Sequence, residues 1–485
     1  MSKMIQDDVP LRAGMFIDGR WTAADVDGSA VENPATEAVI ATTSIGGTDV
    51  AEEAVQAARK AQRLWAQVPA VERGRAVIAL ANEVCANAEL LAQIVVAEQG
   101  KPISQARGEV HATESFLRFA AENARRIEGE IVPSDNRNEE IQIRRLPYGV
   151  VVGLTAWNYP LALAARKLGP ALVAGNAFIL KAHEYTPLSG LALAGLAEKA
   201  GLPAGLFNVV TGDGRTFGRA LVDRADLVTM TGSTRAGREI YSAGAEDIKV
   251  LRLELGGKAP FIVMEDADID RAVEAAILAR FTNNGQICTC NERMYLHRAI
   301  ADEFLAKFTA KAAALTIGQP LTDPDIGPKV SKGELEKVEA ITVASIAAGA
   351  EALLRGGPLK EGAFAKGHWI APTVLLAQNN DLPAMREEIF GPVIAALIVD
   401  DFEQAMTYAN DSDFGLSAYI WTRDQRRLMA VAARLNCGEI YCNRANGEQV
   451  QGFHSGWGRS GLGGEDGKHG FDGYLKKKTM YLNWA

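Results

Sequence analysis

The segment Phe281-Thr282-Asn283-Asn284-Gly285-Gln286-Ile287-Cys288-Thr289-Cys290 carries two thiols within three residues. A cysteine is the strongest nucleophile available once ionised, and ionisation needs a neighbouring base, a cation or a helix terminus. Most cysteines are simply small core residues, so this segment also reads as ordinary interior. A metal on Cys288 and Cys290 is disfavoured, because no second cysteine pair or histidine pair lies nearby at ligand spacing. About thirty residues upstream, Leu253-Glu254-Leu255-Gly256-Gly257-Lys258 sets one carboxylate between leucines. Burial there disfavours the charged form, raises the pKa and suits Glu254 to general-base work near neutral pH. A buried ion pair, or an edge-strand Glu facing water, fits the same residues equally well.

Four turns could hold a nucleotide. Thr155-Ala156-Trp157-Asn158-Tyr159-Pro160 offers the Asn158 amide as a donor to a developing oxyanion, or as a plain turn former. In Lys181-Ala182-His183-Glu184 the acidic side chain can accept from ribose hydroxyls and repel a 2′-phosphate. Gly212-Asp213-Gly214-Arg215-Thr216-Phe217-Gly218 is one residue longer than the dinucleotide fingerprint. Thr231-Gly232-Ser233 can present backbone N–H groups and a hydroxyl at a helix start. Together they argue for a nucleotide more strongly than any one of them.

The elements behind these turns follow from periodicity. From Val150 an apolar strand, a loop and a helix repeat, as in VVGLTAWNYP followed by LALAARKLGPALVAG, which predicts an α/β fold with a doubly wound parallel sheet. A second alternating block runs from Leu251 to about Ala433. Residues 49 to 127 read as three helical stretches, and Glu139 to Pro147 as a half-exposed edge strand. The stretch GFHSGWGRSGLGGEDGKHG is either a flexible linker or an ordered loop over a site, and KKKTMYLNWA alternates like a terminal strand.

Composition narrows the function classes. The 485 residues suggest about three folding units at roughly 150 residues each. A net charge of −9 would repel a phosphate backbone, which argues against nucleic acid. No apolar run approaches the roughly 20 residues that span a bilayer, so no membrane partner is expected. The N-terminal MSKMIQDDVP lacks the apolar core of a secretory signal. Five cysteines, an odd number in a large chain, suit a reducing cytoplasm better than a disulfide framework.

The combination of W-N-Y-P at Asn158, K-x-x-E at Lys181 and Glu184, T-G-S at Ser233, L-E-L-G-G-K at Glu254, G-Q-x-C at Cys288 and E-E-I-F-G-P at Glu387 to Pro392 resembles the NAD(P)-dependent aldehyde dehydrogenase superfamily over essentially the whole chain. The segments IYCNR, CTCNER, ANDSDFGLSAY and EQVQGFHSGWGRSGLGGEDGKHG are similar to its lactaldehyde and glycolaldehyde branch. The resemblance implies Cys288 as nucleophile, Glu254 as general base, and Asn158 with the Cys288 backbone N–H as oxyanion hole. It places the cofactor on Thr155, Trp157, Lys181, Glu184, Gly232, Ser233, Leu255, Glu388 and Phe390, with NAD favoured over NADP by Glu184. For the substrate it suggests Arg166, Thr289, Glu448 and His454. Thr289 departs from the branch, which usually has Asn beside the nucleophile, and a short acidic semialdehyde is the alternative substrate. Arg166 reads equally as a salt bridge on a helix face, and His454 as a satisfied loop histidine. The implied architecture is a Rossmann-type cofactor domain (1–124 with 146–256), a catalytic domain (257–450), a Gly-rich loop near the active site (451–469) and a small β oligomerisation arm (125–145 with 470–485) of a homodimer or homotetramer. A thiol hydrolase without redox chemistry would not need four nucleotide-like turns, and a decayed scaffold would have lost Asn158, Glu254 or Cys288.

Overall fold

Fully buried apolar runs become parallel strands, because only a sheet covered on both faces can satisfy their backbone without exposing them. A computed structural model describes residues 11–23 and 28–485, so the N-terminal decapeptide MSKMIQDDVP lies outside the described residues. Five largely buried strands, β1 (Val150–Leu154), β2 (Ala177–Lys181), β3 (Phe207–Val210), β4 (Leu227–Thr231) and β5 (Val250–Glu254), pair in the order β5-β4-β1-β2-β3. Gly461–Leu462 adds antiparallel to β5, and Phe16–Ile17 adds antiparallel to β3. The connecting helices are α1 (Pro160–Ala174), α2 (Pro187–Lys199), α3 (Phe217–Arg224) and α4 (Thr234–Ala245). Strand order reverses at β1, and the crevice beyond such a strand's carboxyl end is where open α/β sheets bind ligands.

A second sheet takes β6 (Ala259–Val263), β7 (Asn291–His297), β8 (Thr373–Leu376), β9 (Val393–Val399), β10 (Ser417–Trp421) and β11 (Glu439–Cys442) in the order β8-β9-β7-β6-β10-β11. Glu351–Leu354 closes its β8 edge antiparallel. Leu475–Asn483 pairs antiparallel with Glu139–Pro147 over nine residues, and Glu130–Pro133 lies on the other side of that strand.

Two expectations change. The three helical stretches are four helices, Thr48–Trp65, Ala70–Ala86, Ala88–Gln99 and Ile103–Glu122, because the second breaks at Asn87 with a bend of 73°. The Asn87 side chain donates to the Glu83 carbonyl at 2.7 Å, a local bond that competes with helix continuation. The Gly-rich stretch is no linker: Gly461 and Leu462 pair with Glu254 and Leu253, and His454 bridges to Glu465. Its glycines admit close backbone approach; a Cβ on Gly456 would sit 2.1 Å from the Ser460 carbonyl oxygen. Among the described residues no single helix is long and apolar enough to cross a membrane.

Candidate active site

Asn158 stands between β1 and α1, where Pro160 at the first helical position fixes the start of α1. Its Nδ2 donates to the Gln286 carbonyl at 2.9 Å, which leaves the second amide N–H for another acceptor. Its own carbonyl accepts from Asn283 Nδ2 at 3.2 Å and from Lys101 Nζ at 2.7 Å. Lys101 is paired with Glu109 at 2.6 Å, both side chains fully buried, and Glu109 Oε1 accepts the Leu161 N–H at the start of α1. One buried ion pair therefore pins the turn that carries Asn158. Across it, Asn283 and Asn284 adopt left-handed backbone conformations and bring Cys288 to the same cleft as Asn158. Burial, and then the Glu448 charge, push the Cys288 thiol well above its usual pKa. Cys290 points away and is fully buried.

Glu254 ends β5. Its side chain is 4% exposed, and neither oxygen has a hydrogen-bond partner among the described residues. Burial raises its pKa to about 8, against the lowering pull of His454. His454 Nε2 lies 3.4 Å from Glu254 Oε2, while its Nδ1 faces Glu439 at 3.2 Å and Glu448 at 3.6 Å. Burial alone would depress the imidazole pKa, but the carboxylates, Glu448 foremost, carry it up to about 10. The Glu439, Glu448 and His454 atoms also have the spacing of a metal-binding group. The Arg166 guanidinium lies 2.9 Å from Glu448, so both Arg166 and His454 face this acidic group.

The cleft at the ends of β1, β2, β4 and β5 has a volume of about 430 Å³. Its walls include Thr155, Trp157, Lys181, Glu184, Gly232, Ser233, Leu255, Glu388 and Phe390, which the structure brings together with Asn158 and Cys288. Lys181 Nζ is 2.7 Å from Glu184, and against the raising effect of burial this ammonium, His183 and the hydrogen bonds together keep the carboxylate low. Ser233 caps α4, accepting from the Ala236 N–H at 3.2 Å, so the positive end of α4 faces the cleft beside it. Trp157 and Phe390 meet edge to face at 5.3 Å. Glu388 accepts from the Gly257 N–H at 2.7 Å, and a Cβ on Gly256 would fall 2.5 Å from its oxygen. The Thr231 hydroxyl is buried there without a partner. A helix N-terminus, a carboxylate at a strand end, an unpaired hydroxyl and two aromatic faces in one cleft fit a dinucleotide.

Two of the expected substrate residues have protein partners in the structure. Thr289 is 2% exposed, and its carbonyl accepts from Tyr419 Oη and Ser417 Oγ. The chain runs straight from Cys288 into the second sheet, which turns Thr289 into the core behind the nucleophile. Arg166 is held by carboxylates: Nε donates to Asp466 at 2.8 Å, Nη2 to Glu448 at 2.9 Å, and Glu465 is 3.4 Å away. The salt-bridge reading of Arg166 is the observed one, since a guanidinium buried among acids is already satisfied. Glu448 and His454 do meet beside Glu254 and Cys288. Residues absent from the sequence expectation are Lys101, Glu109, Lys167, Glu439, Glu465 and Asp466. Lys167 pairs with Glu465 in the interior. The buried charges in helical stretches were the available signal, since an ionised side chain on an apolar face needs a partner.

Residues 21–480 match the model of the family described as "Aldehyde dehydrogenase family". The chain is 48% identical to the 3,6-anhydro-alpha-L-galactose dehydrogenase of Vibrio sp. (strain EJY3) over 480 residues, 98% of this chain and 99% of that one. It is 40% identical to the lactaldehyde dehydrogenase of Escherichia coli (strain K12) over 482 residues, 98% and 99% of the two chains. A solved structure of 3,6-anhydro-L-galactose dehydrogenase bound to NADP superposes with a TM-score of 0.95 at 47% identity, covering 97% of this chain and 100% of that one.

Proposed function

Since this chain belongs to the aldehyde dehydrogenase family, and so oxidises an aldehyde with NAD(P), we propose that its substrate is a neutral hydroxylated aldehyde of the sugar-aldehyde kind. The observation that carries this reading is the acidic cluster beside Glu254 and Cys288: Glu448 and Glu439 can accept from hydroxyls, and Arg166, paired with Asp466, Glu448 and Glu465, is no clamp for an anion. A semialdehyde carrying a carboxylate would meet that cluster charge to charge. The higher identity to the anhydro-galactose enzyme supports a sugar aldehyde ahead of lactaldehyde or glycolaldehyde.

In this reading Cys288 Sγ releases its proton to solvent and bonds to the aldehyde carbon as the C=O π bond opens. The carbonyl oxygen takes up negative charge, accepted by the second Asn158 N–H and the Cys288 backbone N–H. The cleft residues named above would hold NAD(P), which would accept the hydride leaving the aldehyde carbon as the oxyanion collapses to the Cys288 thioester. Glu254 then removes a proton from water as it attacks the thioester, and Cys288 leaves as the acid is released. That Glu favours hydrolysis over transfer to coenzyme A. Glu184, already paired with Lys181, favours NAD over NADP. The three-stranded sheet of 130–133, 139–147 and 475–483 serves as the arm of a homodimer or homotetramer, and the five unpaired cysteines suit the cytoplasm.

The test is NADH formation with 3,6-anhydro-L-galactose, lactaldehyde, glycolaldehyde, succinate semialdehyde and benzaldehyde. The hydroxylated aldehydes are expected to give the highest kcat/KM. Preference for the acidic semialdehyde would overturn the reading.

A further inference from the structure

Glu254 presents an unusual arrangement for a buried carboxylate. Neither oxygen is hydrogen-bonded, and its one ion-pair partner among the described residues is His454. A carboxylate removed from water with no donor would protonate rather than act as a base. His454 is 3% exposed, and both ring nitrogens lie within ion-pair distance of carboxylates. Its backbone bridges to Glu465 in both directions, at 2.9 and 2.6 Å, and its Nδ1 faces Glu439 of β11 and Glu448 of the following loop. The other charges around the pair are Arg166 and Lys167 of α1 with Glu465 and Asp466 of the Gly-rich loop, and these largely balance one another. A neutral imidazole between three carboxylates would leave one ring nitrogen facing acids without a proton to share. An imidazolium satisfies both sides.

From this geometry we propose that the His454 imidazolium is a positioning residue for the general base, aiming Glu254 and favouring its ionised form against burial while Glu439 and Glu448 face the imidazolium. The inference rests on the reading of Glu254 as the base for hydrolysis, and it is independent of which aldehyde is the substrate. Because the two charges stabilise each other, removing either must shift the titration of the other by the same free energy.

Two measurements on the full-length enzyme decide it. In histidine-labelled protein, the His454 resonance, identified by its loss in His454→Gln, is expected to stay protonated past neutral pH. Its midpoint should fall by about half a unit or more in Glu254→Gln, as loss of a neighbouring carboxylate requires. A neutral His454 at pH 7, or a midpoint indifferent to Glu254→Gln, would overturn the proposal. In the second measurement, propanal, which has no hydroxyl to be read, is oxidised by wild type and His454→Gln. The acid limb of the steady-state rate should move up by roughly one pH unit in the variant, because Glu254 loses its stabilising cation. The first turnover of NADH should keep its rate. An unmoved acid limb, with KM raised for hydroxylated aldehydes alone, would make His454 a substrate reader only. Should wild type prefer propanal to every hydroxylated aldehyde, the substrate reading would fall while the propanal comparison still decides on His454.

Discussion

At the scale of single residues, environment separates groups that are chemically alike. Cys288 and Cys290 are two residues apart, yet one opens on the cleft and the other packs in the interior with Sγ 3.9 Å from the Arg280 carbonyl. Cys288→Ala is expected to abolish turnover while NAD binding persists, and Cys290→Ala to keep most activity and lose about 1 kcal/mol of stability. Retained turnover in Cys288→Ala would remove the nucleophile assignment. Glu254→Gln should give a burst of NADH and then a stalled steady state, slowed by ~10² to 10⁴. Since burial sets the Glu254 pKa at about 8, its base form gains as pH rises through that value. The wild-type hydrolytic rate should therefore climb between neutral and mildly alkaline pH. Glu184→Ser should raise kcat/KM with NADP relative to NAD by about tenfold or more, since a charge repulsion near one pKa unit in energy is removed and Lys181 is released.

At the scale of elements, the turn after β1 is held by charges drawn from elsewhere in the chain. Lys101 precedes the helix Ile103–Glu122, and Glu109 lies within it, yet together they fix the Asn158 carbonyl and the N-terminus of α1. Breaking a buried pair leaves an uncompensated charge and costs roughly 3–5 kcal/mol. Lys101→Met is expected to lower the thermal midpoint and to reduce kcat more than it raises KM, because the oxyanion donor loses its aim. An unchanged kcat in a destabilised Lys101→Met enzyme would show that the Asn158 turn is held without the pair. The turn before Cys288 contains Asn283-Asn284-Gly285, and the sequence carries no sign that Asn283 reaches back to Asn158.

At the scale of the molecule, the sheet formed by 475–483, 139–147 and 130–133 stands with Ile131, Tyr481 and Trp484 exposed at 71%, 68% and 64%. A three-stranded sheet with apolar residues facing water gains by pairing with another chain. Replacing Ile131 and Tyr481 by Asp should shift the mass measured by light scattering toward the monomer. An unchanged mass would place the assembly interface elsewhere.

The sequence by itself determined the alternation of strand and helix from Val150 onward and the four turns at the strand ends, and it put Cys288, Glu254 and Asn158 forward as candidates. These are local matters: an apolar run of five residues, a Gly-Gly pair after a Glu, a Pro at a helix start. Even there, Asn87 split a continuous apolar pattern, because its side chain bonds to the backbone in competition with the helix. Tertiary structure alone decided what the charges do. Arg166 and Asp466 are 300 positions apart, and Glu254 and His454 meet only because Gly461–Leu462 pairs with the end of β5 and brings the Gly-rich loop over the site. Whether a buried acid is a base, a counter-ion or a strut depends on its neighbours in space, and at those separations periodicity along the chain carries no record of them.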